Sequence, residues 1–117
     1  MKALLDGKLA LGFFTTIAAL CFVTGAAAAV DEKAALITAR QNGCFECHSV
    51  EKKKDGPTYK DVSAKYRGKP DAEERLIFHI TSGEKAKFPD GHEEEHKIIK
   101  TKDKAEIKNL VNWILTR

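Results

Sequence analysis

Methionine is almost absent from this chain: there is one, and it is Met1. Any metal held by the folded part must therefore do without a thioether ligand. Cysteine is scarce too, with only three residues, which excludes a scaffold stapled by several disulfides. No run alternates apolar and polar residues as a half-buried strand would, and no segment repeats. Charge of one sign is also missing: 20 basic side chains face 17 acidic ones, for a formal +3. With no aromatic residues interleaved among the basic ones, nothing points to nucleic-acid recognition, and overall charge names no partner.

What is present begins with a leader. Lys2 and Lys8 precede an uncharged run from Leu9 to Val23, followed by Gly25 and the small residues Ala26 to Ala29. A basic start, an apolar stretch and an alanine exit describe a secretory signal peptide. A retained anchor is the competing reading, since the run approaches the ~20 residues that span a bilayer. The alanine exit suits processing, however, and no basic anchor follows it. Cys21 follows Leu20, where lipoprotein processing wants a small side chain, so this cysteine leaves with the signal. The expected organisation is a signal peptide over residues 1–29 and one exported, periplasmic domain over residues 30–117, with no membrane span after processing.

Along that domain, Asp31 to Asn42 reads as a helix with Ala34, Leu36, Ile37 and Ala39 as its apolar stripe and Gly43 as its stop. Residues 49–58 are polar and read as a loop. A short helix follows around Tyr59 to Tyr66, ended by Gly68-Lys69-Pro70. Asp71 can cap the next, whose buried face is Leu76, Ile77 and Ile80 and whose end is Gly83. Glu84 to Lys100 is charged and has no apolar period. Thr101 or Asp103 can then cap a last helix carrying Ile107, Leu110, Val111 and Ile114 at helical spacing, with Trp113 beside them. Four helices and one long polar loop read as a compact all-α unit.

The segment Cys44-Phe45-Glu46-Cys47-His48 is a C-x-x-C-H motif, which is read as c-type haem attachment. Two thiols bond to the edge of the haem and the adjacent imidazole reaches its iron. C-x-x-C by itself also spells a redox dithiol or half a zinc site. The leader upstream, and the absence of any third cysteine in the domain, select the haem.

With these residues in place, the domain resembles the small bacterial monohaem class I cytochromes c. Gly43 through His48, Gly56-Pro57, Tyr59-Lys60-Asp61-Val62, Lys65-Tyr66, Ile80-x-x-Gly83 and the closing Asn109 to Leu115 all carry the likeness, which runs from about residue 33 to 116. The resemblance implies a class I cytochrome c fold, about four helices around one covalently bound haem c, with first and last helices crossing. It implies His48 as proximal iron ligand and a Pro57 carbonyl that accepts the Nδ1 proton of His48. It also implies a distal ligand from the loop before the last helix, where such proteins carry methionine and this chain reads Lys87 to Lys97.

Counting back from Trp113 along that resemblance, the methionine position falls within a residue or so of His96. His96 is therefore the first candidate distal ligand and His92 the second; Lys97 would need to lose a proton, and an open or water-bound iron is the other outcome. His79, between Phe78 and Ile80, reads as a packed or surface histidine. His92 to His96 also spells H-E-x-x-H, a zinc pattern when both histidines share a helical face. No convincing third ligand lies near it, and the intervening residues are acidic rather than core-forming.

Two functions are expected to divide on the sixth ligand. A one-electron carrier has both axial sites filled; with two histidines its potential lies below that of His/Met relatives, because methionine raises it. Its partners would be redox proteins, acidic or multihaem, steered by the lysines at 52–54, 60, 65 and 69 and by Arg67. A gas-binding or sensing haem protein instead keeps its distal site open or its ligand displaceable. No acid/base constellation accompanies the motif, so the chain is not expected to be an enzyme.

Overall fold

The computed structural model describes residues 28–117, so residues 1–27 of the expected signal peptide lie outside the described residues. Helix α1, Glu32–Gln41, begins where Asp31 accepts a hydrogen bond from the Ala34 N–H at 2.9 Å. Ala35 and Ala39, four residues apart on one face, are fully buried. Their small side chains let helix α5, Lys104–Leu115, come close across them. The two helices are joined at one end by a reciprocal pair of bonds: Asp31 N–H donates to Asn109 Oδ1, and Asn109 Nδ2 donates to the Asp31 carbonyl, both at 2.9 Å.

Helix α5 supplies half of the buried core cluster through Ile107, Leu110, Val111, Trp113 and Ile114. Burying each such side chain stabilises the fold by roughly 1.5–3 kcal/mol. Asp103 caps it, accepting from the N–H groups of Ala105 and Glu106, while the Thr101 hydroxyl bonds the Glu106 carboxylate. Of the two cap candidates Asp103 is the one used, and Thr101 supports it, its hydroxyl also accepting from the Asp103 N–H at 3.1 Å.

Two further helices pack on α5. In α3, Tyr59–Tyr66, the Ser63 hydroxyl donates to the Leu115 carbonyl at 2.7 Å. In α4, Ala72–Ser82, Glu73 accepts from Asn112 Nδ2 at 2.8 Å. Asp71 stands at the N-cap of α4 but its carboxylate caps no N–H. Its ψ of 5° lacks the extended conformation that turns a capping side chain back onto the helix. Gly83 ends α4 at φ 70°, a left-handed stop open to glycine at little cost.

Two elements were not expected. The haem motif forms its own single helical turn, α2, Cys44–Cys47, entered through Gly43 at φ 67°. The charged segment contains an antiparallel hairpin of β1, Lys85–Lys87, and β2, Glu93–Glu95, so the expectation of no strand is corrected. Its register sets Lys85 opposite Glu95 and Lys87 opposite Glu93. Between them Phe88 and His92 close a three-residue loop, Pro89-Asp90-Gly91, with Gly91 at φ 94°. Apolar alternation could not reveal these strands, because both bear charged side chains and are mostly exposed. No helix among the described residues is long and apolar enough to cross a membrane.

Candidate functional site

Between α2, α3, α4 and the hairpin lies a cleft of about 620 Å³. Val62, Leu76, Ile80, Ile99, Leu110 and Ile114 give it apolar walls; Cys44, Cys47, His48, His79 and His96 also line it. That volume and that mixture, largely apolar with a few convergent polar groups, suit a cofactor.

The helical turn of α2 places Cys44 and Cys47 on the same cleft, with His48 leaving the turn in extended conformation. Burial raises the pKa of the Cys44 thiol. Redox dithiols work through a thiolate of lowered pKa, so this environment speaks against that reading of C-x-x-C.

His48 is held from three sides. Its Nδ1 lies 2.7 Å from the Pro57 carbonyl oxygen, leaving Nε2 free. Its ring stacks on Tyr59, centroids 5.3 Å apart and planes 18° apart. Tyr59 in turn meets Trp113 edge-on at 5.5 Å and Phe45 at 6.1 Å, so the imidazole is braced by the α5 core. On the third side is Gly56, where a Cβ would come within 2.5 Å of His48 Cε1.

The hairpin delivers His96 to the facing wall. Its backbone N–H bonds the Glu84 carbonyl at 3.0 Å, and the chain beyond is tied by Ile99 N–H to the Ile80 carbonyl and by Lys100 N–H to Asn42 Oδ1. His96 Nδ1 lies 3.0 Å from the Lys97 carbonyl oxygen, which again leaves Nε2 free. Burial lowers the pKa of His48, and burial followed by the charges of His79 and His48 lowers that of His96. Both are therefore biased toward the neutral imidazole, the form that binds a metal.

The rings of His48 and His96 have centroids 6.2 Å apart. A metal–imidazole bond is about 2 Å and the ring nitrogen lies about 1 Å from its centre, so two imidazoles facing across one metal have centres roughly 6 Å apart. The apolar walls, the paired thiols and this separation fit a haem.

The other candidates lie elsewhere. His92 is exposed, bonded to the carboxylates of Asp90 and Glu94 and stacked on Phe88 at 4.4 Å. It does not line the cleft, and since strand β2 separates it from His96, the two do not share the helical face that H-E-x-x-H requires. Lys97 places its ammonium 2.6 Å from Glu46, strapping the segment after His96 to the spacer of the haem motif. His79, expected as a packed or surface histidine, does line the cleft. It sits against His96, ring centroids 4.1 Å apart, with its Nδ1 on Glu84 at 2.5 Å; Glu84 is held in turn by Arg75 at 2.7 Å. Its position three residues after Leu76, on the apolar face of α4, was the available signal.

Comparison with known proteins identifies the family. Residues 34–117 match the family model described as cytochrome c. The chain is 40% identical over 86 residues to cytochrome c-551 of Allochromatium vinosum, covering 68% of this chain and 82% of that one. It is 36% identical to cytochrome c-552 of Hydrogenobacter thermophilus over 78 residues, 67% of this chain and 76% of the relative. Among solved structures it is similar to the class 1 cytochrome MtoD from Sideroxydans lithotrophicus ES-1, with a TM-score of 0.73 and 66% identity over 75% of this chain and 97% of that one. It is also similar to Nitrosomonas europaea cytochrome c552, with a TM-score of 0.55 and 34% identity over 69% and 96% of the two chains. These relatives are small cytochromes c, proteins of electron transfer. The chain belongs to the cytochrome c family, as a small class I monohaem member with one covalently bound haem c.

Proposed function

We propose that this protein is an exported one-electron carrier in which His48 and His96 are the axial iron ligands and Cys44 and Cys47 the covalent attachment points. The observation that carries the reading is the pair of imidazoles 6.2 Å apart, each with Nδ1 on a backbone carbonyl and Nε2 left for a metal. A hydrogen bond from the second nitrogen fixes the ring and raises its basicity. When bound, the haem supplies a ferric/ferrous couple.

The chain's own contribution is to hold both imidazoles still. Pro57, Tyr59 and Gly56 fix His48; the hairpin and the Glu84 carbonyl fix His96. Little has to move when an electron arrives or leaves. Two imidazoles set the potential below that of a His/Met relative, since methionine raises it. Export rests on the leader sequence, and partners of this carrier are redox proteins, acidic or multihaem. Its role is transfer between proteins rather than catalysis.

The test is EPR and absorption spectroscopy of the ferric protein beside His96→Ala. The wild type is expected to give a low-spin bis-imidazole signal that turns high-spin in the variant. An unchanged spectrum would overturn His96 as ligand. Carbon monoxide binding readily to the wild-type ferrous protein would favour a gas-binding role instead.

A further inference from the structure

The two imidazoles that face each other across the cleft are not held alike. His48 has Tyr59 stacked on its ring and Gly56 pressed against its edge, besides the bond to the Pro57 carbonyl. His96 Nδ1 bonds the carbonyl of its own neighbour, Lys97, at 3.0 Å. A bond to the next residue along the chain gives the ring no footing on the rest of the fold. Among the described residues, the aromatic rings that meet His96 are His48, across the cleft, and His79, with centroids 4.1 Å apart and planes at 44°.

His79 is itself anchored. Its Nδ1 lies 2.5 Å from Glu84 Oε1, and the same oxygen accepts from Arg75 Nη1 at 2.7 Å. Arg75 and His79 are four residues apart on α4, so one carboxylate clamps both on one face of the helix. Such charge-assisted bonds are stronger than neutral ones. Glu84 follows Gly83, the left-handed stop of α4, and its N–H donates to Ser82 Oγ at 3.2 Å. Its carbonyl accepts the backbone N–H of His96 at 3.0 Å. The connections close into a loop: Glu84 carbonyl to His96 backbone, Glu84 carboxylate to His79 ring, His79 ring to His96 ring.

We propose that His79 is a positioning residue for the distal ligand: anchored on Glu84, its ring sets the rotation of the His96 imidazole about the bond His96 makes to the iron. This role rests on the carrier reading and deepens it. In a low-spin ferric centre each imidazole donates π density in a direction fixed by its ring plane. The angle between two such planes decides how far two of the iron d orbitals split. That splitting sets the anisotropy of the EPR g values and the orientation of the orbital that gives up and regains the electron. The planes of His48 and His96 stand 45° apart. Tyr59 fixes the first ring and His79 the second, so the orbital points the same way in every molecule.

The experiment is frozen-solution EPR of the ferric holoprotein. Wild type is expected to show one narrow set of low-spin g values. His79→Ala should stay low-spin with its largest g value shifted beyond the wild-type line width. Glu84→Ala, which removes the anchor and keeps the backbone carbonyl that holds His96, should shift it the same way. Glu84→Gln keeps an oxygen for the His79 Nδ1–H and should restore the wild-type signal. Asn109→Ala removes bonds outside the cleft and should leave the g values unchanged. His79→Ala or Glu84→Ala matching wild type, Glu84→Gln failing to restore the signal, or Asn109→Ala shifting it as far would each overturn the proposal. So would a high-spin His79→Ala, which would make His79 the ligand itself. Wild type without a bis-imidazole signal removes the ligand assignment, whereas that signal present and unmoved in the variants removes only the role of His79.

Discussion

Gly56 and His48 touch where no side chain could intervene: a Cβ on Gly56 would lie 2.5 Å from Cε1 and 2.7 Å from Nδ1 of the imidazole, and 3.0 Å from the Cys47 carbonyl oxygen. The backbone on the other side cannot retreat freely, because Gly56 N–H bonds that same carbonyl at 2.8 Å. Gly56→Ala is therefore expected to cost about 1–3 kcal/mol, the usual range for overpacking. Guanidinium unfolding of the ferric holoprotein measures it, and a midpoint equal to wild type would contradict the close approach.

Asn109 both accepts from and donates to the backbone at the start of α1, 78 residues away. Asn109→Ala leaves the Asp31 N–H to water, while the Asp31 carbonyl keeps its bond from the Ala35 N–H at 3.0 Å. Since the site is exposed, the expected loss is about 1–2 kcal/mol for the two bonds. The slope of the unfolding curve should not change, because the surface exposed on unfolding is the same.

Glu73 ties α4 to α5, and the bond from Asn112, followed by Lys108 at 3.1 Å, lowers its pKa although burial opposes the shift. A carboxyl whose folded pKa is depressed stabilises the fold above its unfolded value, ordinarily about 4.3, and loses that contribution as pH falls through the folded value. The stability gap between wild type and Glu73→Gln should thus be present at neutral pH and close on acidification. A gap that widened toward acid would have the wrong sign.

The Lys97–Glu46 pair closes the distal segment onto the haem motif with both partners exposed. Lys97→Ala should scarcely move the unfolding midpoint, as expected of surface pairs. It should instead speed the entry of an added competitor such as imidazole to the ferric iron several-fold, and wild type at high salt should approach the variant. Stopped-flow absorbance measures both; identical rates at low salt would remove the strap.

Much of this fold is legible in the sequence, for identifiable reasons. The apolar spacing of Ile107, Leu110, Val111 and Ile114 marks α5, and Asp31, Gly43, Asp103 and Gly83 mark helix ends, because capping and periodicity are local effects. The hairpin escapes that logic. Its strands are three residues each, exposed and charged, and its sole local signal is Pro89-Asp90-Gly91, whose turn chemistry carries no word about what flanks it. His79 was read by its immediate neighbours, whereas its place in the cleft against His96 goes with its bond to Glu84, which Arg75 also holds.

The sequence by itself determined the chemistry: two thiols and an imidazole in C-x-x-C-H, and a chain whose only methionine is its first residue. These are matters of covalent order, and spacing along the chain settles them. Tertiary structure decided which histidine faces His48. His92 and His96 are four residues apart with the same side chain, and only the pairing of β1 with β2, the Glu84 carbonyl on His96 and the carboxylates around His92 send one into the cleft and leave the other in solvent. That choice depends on backbone hydrogen bonds between segments distant in the chain, which composition and local periodicity do not record.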